Sequence, residues 1–153
     1  MKFIAALFLG SVLLGRLPAQ SPTPTPAPSP EQPLPPAALR VRLMDLGGAL
    51  ANEGFKMRDR VWSGRIESGQ PQRLAVNLFR GNQYWFCLAV DPESKDPKVS
   101  VFGPDGQRLT VLSHQETGLA SAGVTAEATG QYFVQVETDG GPASDFCLLY
   151  LFK

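Results

Sequence analysis

Apolar and polar residues alternate along most of the chain after residue 60, in short runs that end at Gly, Pro or Asp. Alternation with a period of two places every second side chain on one face of a strand. Short runs separated by turn residues about every ten positions are typical of an all-β sandwich or barrel. Eight antiparallel strands suit a jelly-roll-like β-sandwich. The pattern predicts strands at residues 61–66, 72–79, 83–90, 98–102, 107–113, 119–128, 131–137 and 145–152.

The segment 37–55, which precedes these strands, has a different pattern. Its leucines recur at helical spacing, at Leu39, Leu43, Leu46 and Leu50. The pair Gly47-Gly48 weakens a helix by about 1 kcal/mol per glycine, and residues 39–43 also alternate as in a strand. We expect a short N-terminal helix, with an extended segment as the alternative. In either case the segment covers one end or edge of the sandwich.

The first 36 residues have the composition of an export signal followed by a spacer. Lys2 precedes an apolar run of 12 residues, 3–14, which is shorter than the roughly 20 residues of a membrane-spanning helix. Residues 1–20 therefore predict a signal peptide. Residues 21–36 include eight prolines, which predicts a disordered, polyproline-II-like linker. We expect a secreted or periplasmic protein without a stable membrane span after signal cleavage, and with a single β-sandwich domain at 37–153.

Charge and chemistry exclude several classes of function. After residue 20 the chain carries 12 basic and 14 acidic side chains, a net charge of −2, whereas nucleic-acid-binding proteins usually show a strongly basic patch. The one histidine, His114, follows Ser113 in a predicted polar loop, and no Gly-x-Ser-x-Gly nucleophile elbow is present. We expect a non-enzymatic module that binds an unknown protein or polysaccharide, rather than nucleic acid, in the cell envelope or outside the cell. The alternative is a structural or assembly protein that acts through apolar contacts or oligomerisation.

The phase of the strands predicts where the two cysteines point. If Phe86 and its alternate neighbours face the core, Cys87 points outward, and the same reasoning applies to Cys147 beside Phe146. Two outward cysteines on adjacent strands of an exported protein can form a disulfide. Closing the 61-residue segment between them would contribute roughly 4 kcal/mol. The alternatives are two unpaired thiols, or pairing with another chain.

The same phase turns Trp85, Leu149 and Leu151 outward. Exposed apolar patches often mark contacts with a partner, so these three residues are candidates for a partner contact. The alternative, which we favour, is that the segment 37–55 packs over them.

Four acidic residues lie close together in the sequence. Asp91, Glu93 and Asp96 fall in one predicted loop, and Asp105 follows the next strand. Closely spaced carboxylates are typical calcium ligands, so these residues form a candidate for weak calcium binding. Lysines interleave with them, however, and solvated turn residues are the preferred interpretation. We therefore expect no cofactor. A structural zinc site is not expected from two cysteines and one histidine.

Several motifs follow one another in an order that resembles a known family. One contains Gly-Asn-Gln-Tyr-Trp-Phe, another contains Asp-Pro-Lys-Val-Ser-Val-Phe followed by Pro-Asp-Gly, and a third contains Thr-Gly-Gln-Tyr-Phe-Val-Gln-Val. With residues 62–66 and 146–150, they resemble the bacterial pre-peptidase C-terminal domain and its jelly-roll relatives over residues 60–153. The resemblance implies a secreted, non-catalytic β-sandwich. Members of that family are usually appended to exported hydrolases, and some bind matrix polymers or calcium.

Overall fold

Turn residues divide the chain into short apolar runs, and each run becomes a strand. The computed structural model describes residues 37–153, which form one helix and nine strands. The elements are α1 (Ala37–Asn52), β1 (Lys56–Met57), β2 (Trp62–Ile66), β3 (Gln72–Leu78), β4 (Gln83–Val90), β5 (Lys98–Phe102), β6 (Leu112–Glu116), β7 (Leu119–Thr125), β8 (Gly130–Glu137) and β9 (Ser144–Phe152). The predicted signal peptide, 1–20, and the predicted linker, 21–36, lie outside the described residues.

The strands form two antiparallel sheets. Within the described part of the chain, the larger sheet has the order β1-β9-β4-β7-β6, and β2 also pairs with β9. The smaller sheet has the order β3-β8-β5. Most neighbours in a sheet are not consecutive in the sequence, as in the Greek-key connections of jelly rolls. The prediction of an all-β, antiparallel sandwich with a short N-terminal helix is confirmed, but residues 37–153 form nine strands and not the predicted eight, because the two-residue β1 also pairs with β9.

The core lies between the two sheets. Tyr84, Phe86 and Leu88 of β4 point into it, together with Leu148 of β9 and Val134 of β8. These side chains alternate along their strands with residues of the opposite face, so the predicted phase of β4 and β9 is correct. The opposite face of the larger sheet is therefore also apolar along β4 and β9, and it needs a second cover.

Helix α1 provides that cover. Leu39 and Leu43 on the helix, with Phe55 just after it, pack against the outer face of β4 and β9. Residues 37–55 are therefore mainly helical, and the expectation that they cover the sandwich is confirmed. None of the helical structure among residues 37–153 is both long and apolar enough to cross a membrane.

The predicted strand 107–113 is wrong as a single strand. Residues 107–109 pair with the end of β5, where the Gly103 amide donates to the Gln107 carbonyl (2.8 Å) and the Leu109 amide to the Val101 carbonyl (2.8 Å). The chain then crosses to the larger sheet, and residues 112–116 pair with β7 as β6. Alternation with a period of two continues through the crossing, so the pattern alone does not show the change of sheet.

Candidate functional site

The outer face of the larger sheet holds the residues predicted as a partner contact. Leu149 and Leu151 have no exposed surface and pack with α1 in a cluster on the helix side of the sheet. The favoured interpretation, that the segment 37–55 packs over these residues, is therefore the one that the structure shows for Leu149 and Leu151, and the two do not form an exposed patch. Trp85 lies at the margin of the same cluster and is only half-buried. The face thus opens to solvent beside Trp85.

Trp85 belongs to a row of side chains that crosses four strands. Strand register places Trp85 between Leu151 on β9 and Gly123 on β7, and Gly123 in turn opposite Leu112 on β6. A Cβ atom added to Gly123 would lie 2.8 Å from Cε2 and Cζ2 of Trp85, so the indole ring rests directly on this glycine. Leu112 at the end of the row is 72% exposed. Glycine therefore allows the ring to lie flat along the sheet, with an exposed leucine beside it.

A groove of about 390 Å³ opens beside this row, and we call it the Trp85 groove. Its lining includes Trp85, Leu112 and Gly123 together with the polar residues Gln83, Thr110, Thr125 and Glu127. A second depression, of about 520 Å³, shares Thr110, Val124, Thr125 and Glu127 with it and extends toward Asp105 and Tyr132. The groove therefore combines an aromatic surface with hydroxyl, amide and carboxylate groups, and it adjoins further open surface.

No family model and no curated protein matches this chain. The function of the Trp85 groove is therefore inferred from its geometry and chemistry.

Sequence reasoning identified Trp85 but missed the residues that surround it. Gly123 and Leu112 reach Trp85 only through the pairing of β4 with β7 and of β7 with β6. One signal was present, since an isolated glycine inside an apolar strand such as residues 119–125 often marks a close approach of another group. Leu112 carried no comparable signal, because an isolated exposed leucine is common on protein surfaces.

The two cysteines are free thiols, so the predicted disulfide between Cys87 and Cys147 is not formed. Both lie on the helix side of adjacent strands, as predicted, but Cys87 is opposite Leu149 and Cys147 is opposite Ala89. Such diagonal neighbours have Cα atoms about 7–8 Å apart, whereas a disulfide usually needs about 4.4–6.8 Å. The alternative of two unpaired thiols, buried beneath α1, is the one that the structure shows.

Burial of these thiols predicts a loss of stability at high pH. It raises the pKa of Cys87 from the ordinary 9.0 to about 12, and it is the main cause that raises the pKa of Cys147 to about 11, where Asp145 adds to the effect and Arg40 opposes it. Above about pH 9 the unfolded chain loses thiol protons that the folded protein keeps, so the free energy of unfolding falls as pH rises.

Urea unfolding at about pH 8 and about pH 10.5 tests this expectation. The free energy of unfolding should fall less between the two pH values in the double variant Cys87→Ala/Cys147→Ala than in the unchanged protein, because the variant lacks both thiols. Both proteins keep every lysine and tyrosine, so the titration of those side chains affects them equally. An equal decline in both proteins would contradict the prediction.

The four acidic residues do not form one site. Asp91, Glu93 and Asp96 are exposed in the β4–β5 loop, whereas Asp105 lies in the turn beyond the other end of β5. A five-residue strand spans about 16 Å, too far for a shared ion. Asp105 instead accepts a hydrogen bond from the Gln107 amide (3.0 Å). Among residues 37–153, no group of three or more His, Cys, Asp or Glu side chains lies close enough to hold a metal ion.

His114 is on the edge strand β6 and not in a loop. It is exposed, and its Nε2 lies 3.8 Å from Oε2 of Glu116, two residues further along the same face. The predicted polar loop 113–117 is thus mostly strand, and only its surface location is confirmed. Exposure beside a carboxylate is the usual environment of a surface histidine.

Proposed function

We propose that this protein is an exported, non-catalytic β-sandwich module that binds a partner in the cell envelope or outside the cell, and that the partner is a polysaccharide held in the Trp85 groove. The observation that carries the proposal is the half-buried indole of Trp85, lying on Gly123 between a covered apolar cluster and the exposed Leu112. Export is inferred from the predicted signal peptide at 1–20, and the resemblance to pre-peptidase C-terminal domains further supports a secreted binding module.

The chemistry of the groove suits a sugar chain. A tryptophan ring offers a broad apolar surface and a single N–H donor, and sugar rings have apolar faces bordered by hydroxyl groups. Gln83, Thr110, Thr125 and Glu127 supply donors and acceptors around the ring, as expected in a site where a few polar groups fix the orientation of a ligand. The adjoining depression gives a longer ligand room to continue. A polymer therefore fits this surface better than a compact ligand.

One observation favours a second candidate function, assembly of copies of this protein or of other proteins. All five residues of β6 are exposed, and within the described residues β6 pairs only with β7. An unpaired edge strand can add a strand from another chain. Leu112, which borders the Trp85 groove, lies on this edge, so a protein partner that pairs with β6 would cover part of the groove.

Affinity electrophoresis tests the first candidate. We expect migration of the purified protein to be slowed by at least one soluble neutral polysaccharide among hydroxyethyl cellulose, xylan and laminarin. Replacing two exposed groove residues, Gln83→Ala/Glu127→Ala, should weaken that binding about tenfold or more, because each lost hydrogen bond to a ligand costs on the order of 1 kcal/mol. Trp85→Ala should abolish binding, but it also removes packing against the helix-side cluster.

The matched control is Asn77→Ala/Gln131→Ala. These two side chains are exposed and opposite each other on the smaller sheet, and we expect no change in affinity. Failure of all three polysaccharides to slow the protein would contradict the proposal. Elution of the same sample as a dimer, with the dimer lost in Leu112→Asp, would instead support assembly through β6.

A further inference from the structure

A row of basic side chains follows the β1–β2 edge of the larger sheet. Lys56, Arg58 and Arg60 are exposed and occupy every second position before Trp62. Within residues 37–153, β1 and β2 pair only with β9, so no other strand of these residues lies beside the basic row. We call Lys56, Arg58 and Arg60 the arginine edge.

The two arginines lie on aromatic rings. Cζ of Arg58 is 5.0 Å from the ring centroid of Phe152 and 6.0 Å from that of Tyr150, and Cζ of Arg60 is 5.4 Å from that of Trp62. The rings of Trp62 and Tyr150 stack on each other, with centroids 5.4 Å apart and planes at 24°. Both guanidinium groups are therefore held by cation–π contacts on one aromatic surface.

Among residues 37–153, no acceptor pairs with the guanidinium groups of Arg58 and Arg60. The ion pairs formed by the described residues involve Arg65, Lys98 and His114, and none involves the arginine edge or the neighbouring Asp59. A cation–π contact does not consume the five N–H donors of a guanidinium group, which can still bind an acceptor. The two arginines therefore present N–H donors, and residues 37–153 supply no carboxylate to pair with them.

We propose that the arginine edge binds an acidic polysaccharide, a polymer of uronic acid sugars. The planar guanidinium group matches a carboxylate in a two-point hydrogen bond. Because the rings already restrict each guanidinium group, binding a carboxylate costs less conformational entropy than it would for a free arginine side chain. The site is thus organised for carboxylates before any ligand arrives.

The arrangement in a row favours a polymer over a single anion. Arg58 and Arg60 lie in the connection between β1 and β2, and each rests on a different ring, Phe152 or Trp62. Repeated carboxylates of a polymer can therefore each contact one of the two arginines. Asp59, which lies between Arg58 and Arg60 in the sequence, and the balance of 14 basic and 14 acidic side chains in the chain disfavour a densely charged duplex nucleic acid. The choice of a polysaccharide rests on the proposed function, but the arginine edge and the Trp85 groove have no residue in common.

Binding of the whole protein to immobilised polygalacturonate tests the inference, with neutral dextran as the blank. We expect Arg58→Gln/Arg60→Gln to weaken binding about 10- to 100-fold, and raising the salt from about 50 mM to about 200 mM to weaken binding by the unchanged protein. The matched control is Arg80→Gln/Arg108→Gln, which removes the same charge from exposed arginines that make no cation–π contact with any ring of residues 37–153. It should weaken binding less than threefold, or about 0.6 kcal/mol.

Three results would overturn the inference: no binding to polygalacturonate, an equal loss in both double variants, or binding to DNA or to phosphatidylglycerol vesicles as tight as to polygalacturonate. Unchanged melting temperatures would show that the exposed substitutions leave the fold intact. The two proposals can fail separately. If the protein binds a neutral polysaccharide through Gln83 and Glu127, but Arg58→Gln/Arg60→Gln does not change binding to polygalacturonate, the proposed function stands and the arginine edge is rejected. The reverse pattern would reject the groove alone.

Discussion

Replacing Leu43 with alanine should lower the free energy of unfolding by about 2–5 kcal/mol. Leu43 has no exposed surface and anchors α1 on the outer face of β4 and β9, so truncation removes buried apolar contact and leaves a cavity beneath the helix. Urea unfolding followed by circular dichroism measures the change. The effect is large because, among residues 37–153, this helix provides most of the cover of that face, with Phe55 beside it.

Thiol labelling gives a second readout of the same variant. Cys87 and Cys147 have no exposed surface and lie beneath α1, so a weakened helix should open more often and let a thiol reagent reach them faster. Because opening controls the rate, labelling should accelerate even under conditions in which the protein remains mostly folded.

Val41→Ala is the matched control for Leu43→Ala. Val41 lies two residues away on the same helix and is 60% exposed, and alanine has the higher helix propensity. We expect a stability change within about 0.5 kcal/mol and no faster labelling. A similar loss in both variants would mean that α1 is not held to the sheet by its buried leucines.

Gly141→Ala should destabilise the protein by about 2–5 kcal/mol. Gly141 has φ +81°, and an added Cβ would lie 2.5 Å from the Glu93 carbonyl oxygen and 2.9 Å from Cα of Ser94. A residue other than glycine in this conformation costs about 1–2 kcal/mol, and overlap with packed atoms typically adds about 1–3 kcal/mol. The atoms that it meets belong to the backbone, so no side chain can rotate away.

The structural reason for this sensitivity is the contact between the β4–β5 and β8–β9 loops. The Lys95 amide donates to the Gly140 carbonyl (3.0 Å), the Asp139 amide donates to the Lys95 carbonyl (3.0 Å), and the Ser94 hydroxyl donates to the Pro142 carbonyl (3.2 Å). Any shift that relieves the overlap at Gly141 must therefore strain these hydrogen bonds.

Gly69→Ala separates the two contributions at Gly141. Gly69 has φ +71°, but nothing lies within 4 Å of an added Cβ. Its substitution should cost only the conformational part, about 1–2 kcal/mol. Equal losses for the two glycines, measured by urea unfolding, would contradict the overlap at Gly141 and with it the close contact of the two loops.

Alternation along the chain predicted most of the fold. The bounds of β4 and β5 agree with the predicted strands 83–90 and 98–102 residue for residue. The period of two also predicted which side chains of β4 and β9 face the core. Local patterns do not predict the strands where the chain changes sheet within one alternating run, as at residues 107–116. They also miss β1, a strand of two residues that forms only by pairing with β9.

The candidate sites were less accessible to sequence reasoning. The outward direction of Trp85 follows from alternation, but its neighbour Leu112 comes from a strand 27 residues further along, through two steps of strand register. Likewise, Arg58 gave no signal in the sequence, because the rings beneath it, Tyr150 and Phe152, lie more than 90 residues away. The missing disulfide also depends on register, since a diagonal offset of two residues separates the thiols.

The sequence by itself determined an all-β architecture, the faces of its main strands and a helical segment in front of them, because these properties follow from the spacing of apolar residues along a short stretch of chain. Only the tertiary structure decided that α1 covers Leu149, Leu151 and both cysteines. It also decided that Trp85 lies on Gly123 with part of its surface exposed, and that arginines contact aromatic rings at the β1–β2 edge. These outcomes depend on which distant segments pair and in what register. A pattern confined to one segment does not contain that information.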